Sequence, residues 1–230
     1  MSLQFCKLCS CADLVPLWED AKGGQWFRCL WCGSDSSTWQ YEQIAGMYDE
    51  SYIAHQRHIG GGSLQASAEA QRHNLDWFVD HRGNAPGKDF LDVGFCEGGA
   101  LWGMQERGFS VHGWDCNPAA YLGPHTTITP SFRANAFPQR YDLVLCREVI
   151  EHCPAPRDLI AEIHAATDPG GLLQLQTPRP WHQVHPIPYQ QGHLFLLSPI
   201  LCRYWLETAG WDILEERRWD FGMVFLCKRI

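Results

Sequence analysis

In the second half of the chain, short apolar runs alternate with stretches in which apolar residues recur every three or four positions. This pattern predicts a parallel α/β sheet with helical connections. The runs are Asp89–Gly94, Val111–Trp114 ending at Asp115, a weaker one near Thr126–Thr129, Tyr141–Cys146 and Leu172–Gln176, with closing strands near Trp211–Glu215 and Met223–Cys227. Helices are expected from about Gly98 to Gly108, from Arg157 to Ala166 and from Ser198 to Gly210. The last has a serine cap, Pro199 at its first position and a glycine just past its end, which together delimit a helix.

The first half patterns differently. From Ser63, an N-cap candidate, Leu64, Ala68, Leu75, Phe78 and Val79 recur at helical spacing up to Gly83, which predicts one amphipathic helix. Gly60-Gly61-Gly62 before it is the best hinge candidate in the chain. Residues 1–40 hold turn signals at Gly23-Gly24 and Gly33-Ser34 but too few aliphatics for a core, so they need a staple. The expected organisation is a small unit at 1–40, a helical linker and cofactor cover at 41–87, and an α/β domain at 88–230.

Two cysteine pairs offer the staple. Cys6-x2-Cys9-x19-Cys29-x2-Cys32 presents two knuckles whose four thiolates can converge on one tetrahedral zinc. A redox centre needs only one such pair. Cys11 leaves the register open, because Cys9-Ser10-Cys11 lets it replace Cys9. A closed four-sulfur site has no open position for substrate, so its zinc is structural. The singly scattered Cys96, Cys116, Cys146, Cys153, Cys202 and Cys227 read as structural thiols.

Charge narrows the partners. The 230 residues carry 18 Lys+Arg against 26 Asp+Glu, a formal charge of −8, which disfavours sequence-independent nucleic-acid binding. Residues 1–45 are themselves acidic, with Lys7, Lys22 and Arg28 against Asp13, Glu19, Asp20, Asp35 and Glu42. Their tryptophans, Trp18, Trp26, Trp31 and Trp39, are therefore expected to pack the small unit against the larger domain rather than to stack on bases. No apolar run is long enough to cross a bilayer and the amino end lacks a signal peptide's apolar core, so a soluble cytoplasmic protein is expected.

The strongest chemical signal follows the first strand of the sheet. Phe90-Leu91-Asp92-Val93-Gly94-Phe95-Cys96-Glu97-Gly98-Gly99 runs from a strand through a glycine-rich turn into a helix, where a ligand can approach the backbone. Asp115 ends the second strand, placed to accept hydrogen bonds from both ribose hydroxyls of an adenosine ligand. A tight turn with a helix-capping Asp before Pro118 is the plain structural alternative.

With Tyr141-Asp142-Leu143-Val144 leading to Glu148-Val149-Ile150-Glu151-His152, with Asp168-Pro169-Gly170-Gly171, Thr177-Pro178 and Gly192-His193-Leu194-Phe195, these motifs occur in a familiar order. Residues 88–227 resemble a class I S-adenosylmethionine-dependent methyltransferase, similar to the broad group that includes the ubiquinone-biosynthesis O-methyltransferases. The resemblance implies a Rossmann-like fold: a seven-stranded sheet whose last strand is antiparallel, helices on both faces, and cofactor at the carboxyl ends of the first two strands. Asp92, Gly94 and Gly98 would border the methionyl end and Asp115 the ribose. Asn135 and Ala136, with Phe137, would flank adenine, and Cys146 and Arg147 would face the methionine part. Cys96 stands where the family has its middle glycine, a departure that narrows the space beside the methionine moiety. Tyr48 and Tyr52 fall where family members place a mobile aromatic cover, with a purely structural role as the alternative.

Transfer to oxygen needs an acceptor held in line and a base near neutral pKa, for which histidine is suited. His152 ranks first, from the family motif, and His193 second. His182 and His185 lie in the same proline-rich segment as His193, and the three with Cys153 offer a metal site in principle. Their irregular spacing favours a substrate-lining loop. The expected function is methylation of a small-metabolite, sugar or glycan hydroxyl. RNA base methylation with recognition by the zinc ribbon, and a non-catalytic ribbon interaction protein, are the alternatives.

Overall fold

The computed structural model describes residues 3–45, 63–82, 87–115, 127–129, 137, 139–181 and 192–230. Gly60 to Gly62, Tyr48, Tyr52, Cys116, Asn135, Ala136, His182 and His185 lie outside the described residues.

The amino-terminal strands are β1 (Leu14–Glu19), β2 (Gln25–Cys29) and β3 (Asp35–Ser37), followed by helix α1 (Tyr41–Ala45). Then come α2 (Leu64–Arg82), β4 (Asp89–Val93), α3 (Gly99–Glu106), β5 (Ser110–Trp114), β6 (Thr127–Thr129) and β7 (Tyr141–Arg147). A 3-10 turn at Ile150–His152 leads to α4 (Pro156–Ala166), β8 (Thr167–Pro178), β9 (Phe195–Leu196), α5 (Pro199–Thr208), β10 (Trp211–Trp219) and β11 (Gly222–Arg229). The larger sheet has seven strands in the order β10-β11-β8-β7-β4-β5-β6. β11 runs antiparallel to both its neighbours, whereas β4, β5, β6, β7 and β8 pair in parallel.

Both faces of this sheet are covered, which is why its strands are nearly continuous in apolar residues. On one face Leu91, Val93, Val144, Leu173, Leu175 and Phe225 pack with α4 and α5 through Leu159, Ile160, Ile163 and Trp205. On the other, Phe90, Leu143, Leu145 and Leu226 meet Leu75 and Phe78 of α2 and Leu101 and Met104 of α3. α2 and α3 approach closely because residue 99 is glycine: a β-carbon there would fall 2.2 Å from Ser67 Oγ. Ser63 Oγ caps α2 by accepting from Ala66 N at 3.1 Å. Cys146, Cys153, Cys202 and Cys227 are buried with their thiol pKa values pushed up by desolvation, consistent with packing roles. Among the described residues, no helix is long and apolar enough to cross a membrane.

The observed elements extend some expected ones. β8 begins at Thr167, five residues before its apolar run, and β10 reaches Trp219 because it is carried by ladder bonds to β11 rather than by its own pattern. The amino-terminal strands also do not form a sheet by themselves: β9 adds to β3 and completes a four-stranded sheet, β1-β2-β3-β9. Trp26 is fully buried against Leu196, with Leu17 and Trp18 beside it, and Trp39 packs on the larger core. Trp31 departs from the expected packing, being 80% exposed at the tip of the second knuckle.

Ser198 joins the two sheets. Its Oγ accepts from Leu201 N at 3.2 Å, capping α5, and donates to the Cys32 carbonyl at 2.6 Å. Ser198→Ala removes both bonds and should lower unfolding stability by about 1–3 kcal/mol, from a cap worth about 1 kcal/mol and a partly buried acceptor left unmatched. Urea denaturation checks this. A loss below about 0.5 kcal/mol would mean that solvent satisfies both partners.

Candidate functional site

The β4 strand ends in a loop with three left-handed residues, Gly94 at φ 79°, Cys96 at φ 49° and Gly98 at φ 88°. Gly94 N donates to Trp114 O at 2.6 Å, tying the loop to β5. A β-carbon at Gly94 would lie 2.1 Å from Val149 Cγ2, so this position must be glycine for the loop after β7 to close over it. Cys96 takes the same backbone region with a side chain, at a cost that glycine avoids. Its N–H donates to Asp115 Oδ2 at 2.9 Å, which fixes that carboxylate at the carboxyl end of β5. Burial, with Asp115 and Glu97 nearby, pushes the Cys96 thiol up to about 12, so it is protonated and unreactive at neutral pH.

Beneath the loop, Asp92 is 4% exposed and its pKa is raised to about 7 by desolvation, with Arg147 partly offsetting this and Asp115 adding to it. Arg147 is half-buried at the end of β7 and Cys146 is buried beside it. Trp114 lies with its ring centroid 6.0 Å from that of Phe137. Gly94, Cys96, Gly98, Asp115, Arg147 and Phe137 thus cluster at one edge of the sheet, over Asp92 and Cys146.

A second group gathers on the same edge, beyond β7. Glu148 takes a left-handed φ of 54°, accepts from Gln176 Nε2 at 3.0 Å and donates its N–H to Gln176 O at 2.9 Å. Glu151 is fully buried. Thr177 Oγ1 donates to its Oε2 at 2.9 Å, while Oε1 has no hydrogen-bond partner. Burial and the neighbouring Glu148 carboxylate raise the Glu151 pKa well above the usual carboxylate range. His152 Nδ1 hydrogen-bonds the Gly192 carbonyl, so Nδ1 carries the proton and Nε2 is left as an acceptor. The His152 side chain is 23% exposed, and desolvation lowers its pKa to about 4, well below the near-neutral value expected of the base. His193 is 5% exposed and its ring sits edge-on to His152 with centroids 4.8 Å apart. Glu151 Oε1 lies 3.7 Å from His152 Nε2 and 4.0 Å from His193 Nε2.

In the amino-terminal sheet, Cys6 Sγ is 3.8 Å from Cys32 Sγ and Cys9 Sγ is 3.5 Å from Cys29 Sγ, with all four sulfurs within 4.8 Å of one another. A tetrahedral zinc with bonds of about 2.3 Å places sulfurs about 3.8 Å apart, so this donor set fits one. Cys11 stands outside the cluster, its Sγ 3.8 Å from Asp13 Oδ2.

Sequence reasoning missed Ser34, Asp35, Ser36 and Ser37, four consecutive polar residues that are all fully buried. No polarity signal marks them as interior. Gln176 and Thr177, which hold Glu148 and Glu151, were likewise not singled out for that purpose; their position at the carboxyl end of a parallel strand was the available signal.

A seven-stranded sheet of this order, with a glycine-rich loop and a fixed acid at its carboxyl edge, is the Rossmann-like methyltransferase class of fold. Residues 66–216 match the family described as Methyltransferase domain, and the chain belongs to that family. It is 36% identical over 116 residues to the ubiquinone biosynthesis O-methyltransferase of Pseudomonas paraeruginosa, covering 45% of this chain and 49% of that protein. The chain therefore spans about half the length of that curated relative. Among solved structures, a SAM-dependent methyltransferase from Archaeoglobus fulgidus matches with a TM-score of 0.61 at 15% identity, over 79% of this chain and 100% of its own. Magnesium protoporphyrin IX methyltransferase from Synechocystis PCC 6803, with bound SAH, matches with a TM-score of 0.61 at 17% identity, over 83% and 99%. These two likenesses establish the fold.

The strained Cys96 backbone makes a testable contrast. Glycine should be at least as stable as cysteine there, whereas Cys96→Val should fall at least about 1 kcal/mol below glycine, because a β-branched side chain tolerates the left-handed region worst. Equilibrium unfolding of the three proteins measures the order. Equal stability of the valine and glycine variants would remove the strain argument.

Proposed function

We propose that the chain is an S-adenosylmethionine-dependent methyltransferase acting on a hydroxyl of a small metabolite, sugar or glycan. The observation that carries the oxygen assignment is His152, neutral, one-quarter exposed and oriented by the Gly192 carbonyl so that Nε2 accepts. The O-methyltransferase relatives support the same reading. The cofactor, when bound, supplies an electrophilic methyl group on a sulfonium. Asp115, held by Cys96 N–H, accepts the ribose hydroxyls, and Gly94 and Gly98 leave the backbone accessible to the methionyl end. Asp92, Cys96, Cys146 and Arg147 line that end, and Asn135, Ala136 and Phe137 flank adenine. Asp115 suits a cationic ligand by Coulomb attraction, and a cation nearby would favour the ionised form of Asp92, whose pKa burial raises to about 7. As the new carbon–oxygen bond forms, His152 Nε2 takes the hydroxyl proton, and His193 with Glu151 walls the acceptor.

In the same reading Cys6, Cys9, Cys29 and Cys32 hold one structural zinc. RNA recognition by this ribbon finds little support: Arg28 is paired with buried Asp35 and Lys7 donates to the Trp39 carbonyl, so two of its few cations are engaged internally.

Asp115→Ala should weaken S-adenosylhomocysteine binding by about 2–4 kcal/mol, because charged hydrogen bonds contribute about 1.5–3 each before water compensates. Calorimetry measures it, and unchanged affinity in a folded variant discards the ribose assignment.

His152 supplies the pH test. Below its depressed pKa of about 4 the ring is protonated and cannot accept a proton, so the rate should stay level on acidification from pH 8 to about pH 5 and fall only beyond. His152→Gln should lower turnover about 10²–10⁴-fold with cofactor affinity retained. Turnover of a hydroxyl acceptor found by screening checks both, and a wild-type rate in the variant would leave proximity as the catalyst.

A further inference from the structure

The amino-terminal ribbon bonds the stem that carries His193 and, separately, the Trp181 carbonyl. On one side, Arg28 of β2 makes a two-point contact with Asp35 of β3, Nε to Oδ1 at 2.8 Å and Nη2 to Oδ2 at 2.9 Å, and the same Nη2 donates to the Trp181 carbonyl at 3.0 Å. On the other, Ser37 Oγ lies 2.9 Å from the His193 carbonyl and 3.0 Å from the Leu194 carbonyl, and Ser37 N donates to Leu194 O at 3.0 Å. Leu194 N in turn donates to Glu151 O at 2.9 Å, so the ladder from β3 continues into the turn that carries Glu151 and His152. Ser34 Oγ accepts from Ser198 N at 2.9 Å just beyond β9. All four residues from Ser34 to Ser37 are buried, so water does not compete for these bonds. The distance between the metal-type cysteine cluster and this ladder is one residue: Cys6 Sγ lies 3.8 Å from Ser36 Oγ, and Lys7 N donates to that oxygen.

We infer that the ribbon is a wall of the acceptor site rather than a separate recognition module: Ser37 and the Arg28–Asp35 pair are positioning residues that set the His193 and His152 rings through the β9 stem, which Ser37 holds at the His193 and Leu194 carbonyls and Asp35 pairs at Leu196. Loss of metal from the cysteine cluster then disorders the acceptor side while the β4 loop and Asp115, which are bonded to each other and to β5, keep their cofactor affinity. A surface of this kind allows the ribbon to set acceptor choice without touching the reacting atoms. The inference rests on the reading of the histidine pair as the acceptor side, and its test does not need the acceptor.

The experiment is long-range ¹H–¹⁵N spectroscopy of histidine-labelled full-length protein as purified, with S-adenosylhomocysteine affinity measured alongside. In the wild type, one histidine should show the Nδ1-protonated tautomer of His152, assigned by its absence in His152→Gln. Ser37→Ala and Arg28→Gln should shift or broaden the His152 and His193 ring signals, as should treatment of the wild type with a zinc chelator, with S-adenosylhomocysteine affinity within about twofold throughout. Asp13→Asn is the control, because the exposed Asp13 carboxylate meets Cys11 Sγ, inside residues 1–40, and it should leave both rings unchanged. Unaltered ring signals in folded Ser37→Ala and Arg28→Gln overturn the inference, as does an equal change in Asp13→Asn. Failure of the wild type to bind S-adenosylhomocysteine overturns the methyltransferase reading instead.

Discussion

Four polar residues in a row, Ser34 to Ser37, are removed from water with all their backbone and side-chain hydrogen-bonding groups. Leaving such groups unmatched costs about 1–3 kcal/mol each, so the protein must supply partners from elsewhere in the chain. It does so with β9 and its flanks, more than 150 residues away, and with Ser198. The need to satisfy β3 brings the stem after residue 191 onto the ribbon, and that stem carries Gly192, His193 and Leu194. From there the order passes to Glu151 and His152, which are held by Leu194 N and the Gly192 carbonyl. A local problem of buried polarity thus organises the chemistry at the far edge of the larger sheet.

The cofactor side is built on a different economy. Its loop is short, is tied to β5 through Gly94 N and capped by Val149 from the turn after β7, and these two neighbouring turns accept backbone strain at Cys96 and Glu148, non-glycine residues in the left-handed region. Strain of this kind persists where surrounding structure over-determines the chain, here Val149 over Gly94 and Asp115 on Cys96 N. Carboxylates are concentrated at the same edge, and burial raises Asp92 to about 7 and Glu151 higher than the ordinary range. Both groups are therefore poised to respond to a positive charge brought into the site, since a nearby cation favours the ionised form.

Much of this was legible in the chain. The β4 loop, Asp115, the Glu151-His152 pair and the Ser198 cap are each contained in a short window, and their geometry follows from local rules: strand, turn, helix start, cap. The cysteine knuckles were legible for the same reason, although which of Cys9 and Cys11 joins the cluster was settled by the fold, which turns Cys11 toward Asp13. Trp31 was misjudged because an aromatic residue beside a knuckle looks the same whether it faces the domain or solvent.

What the sequence by itself determined is the strands and helices of the larger sheet, the Leu64–Arg82 helix and the cysteine cluster, because periodicity, glycine placement and cysteine spacing act over a few residues. Only the tertiary structure decided that β9 would join the ribbon, that Arg28 would reach Trp181 and that His152 and His193 would meet edge to edge over Glu151. Those contacts join residues 40 to more than 150 positions apart. No local preference encodes them, since a hydrogen bond between distant segments forms only where packing of the whole core has already paid the entropy of bringing them together.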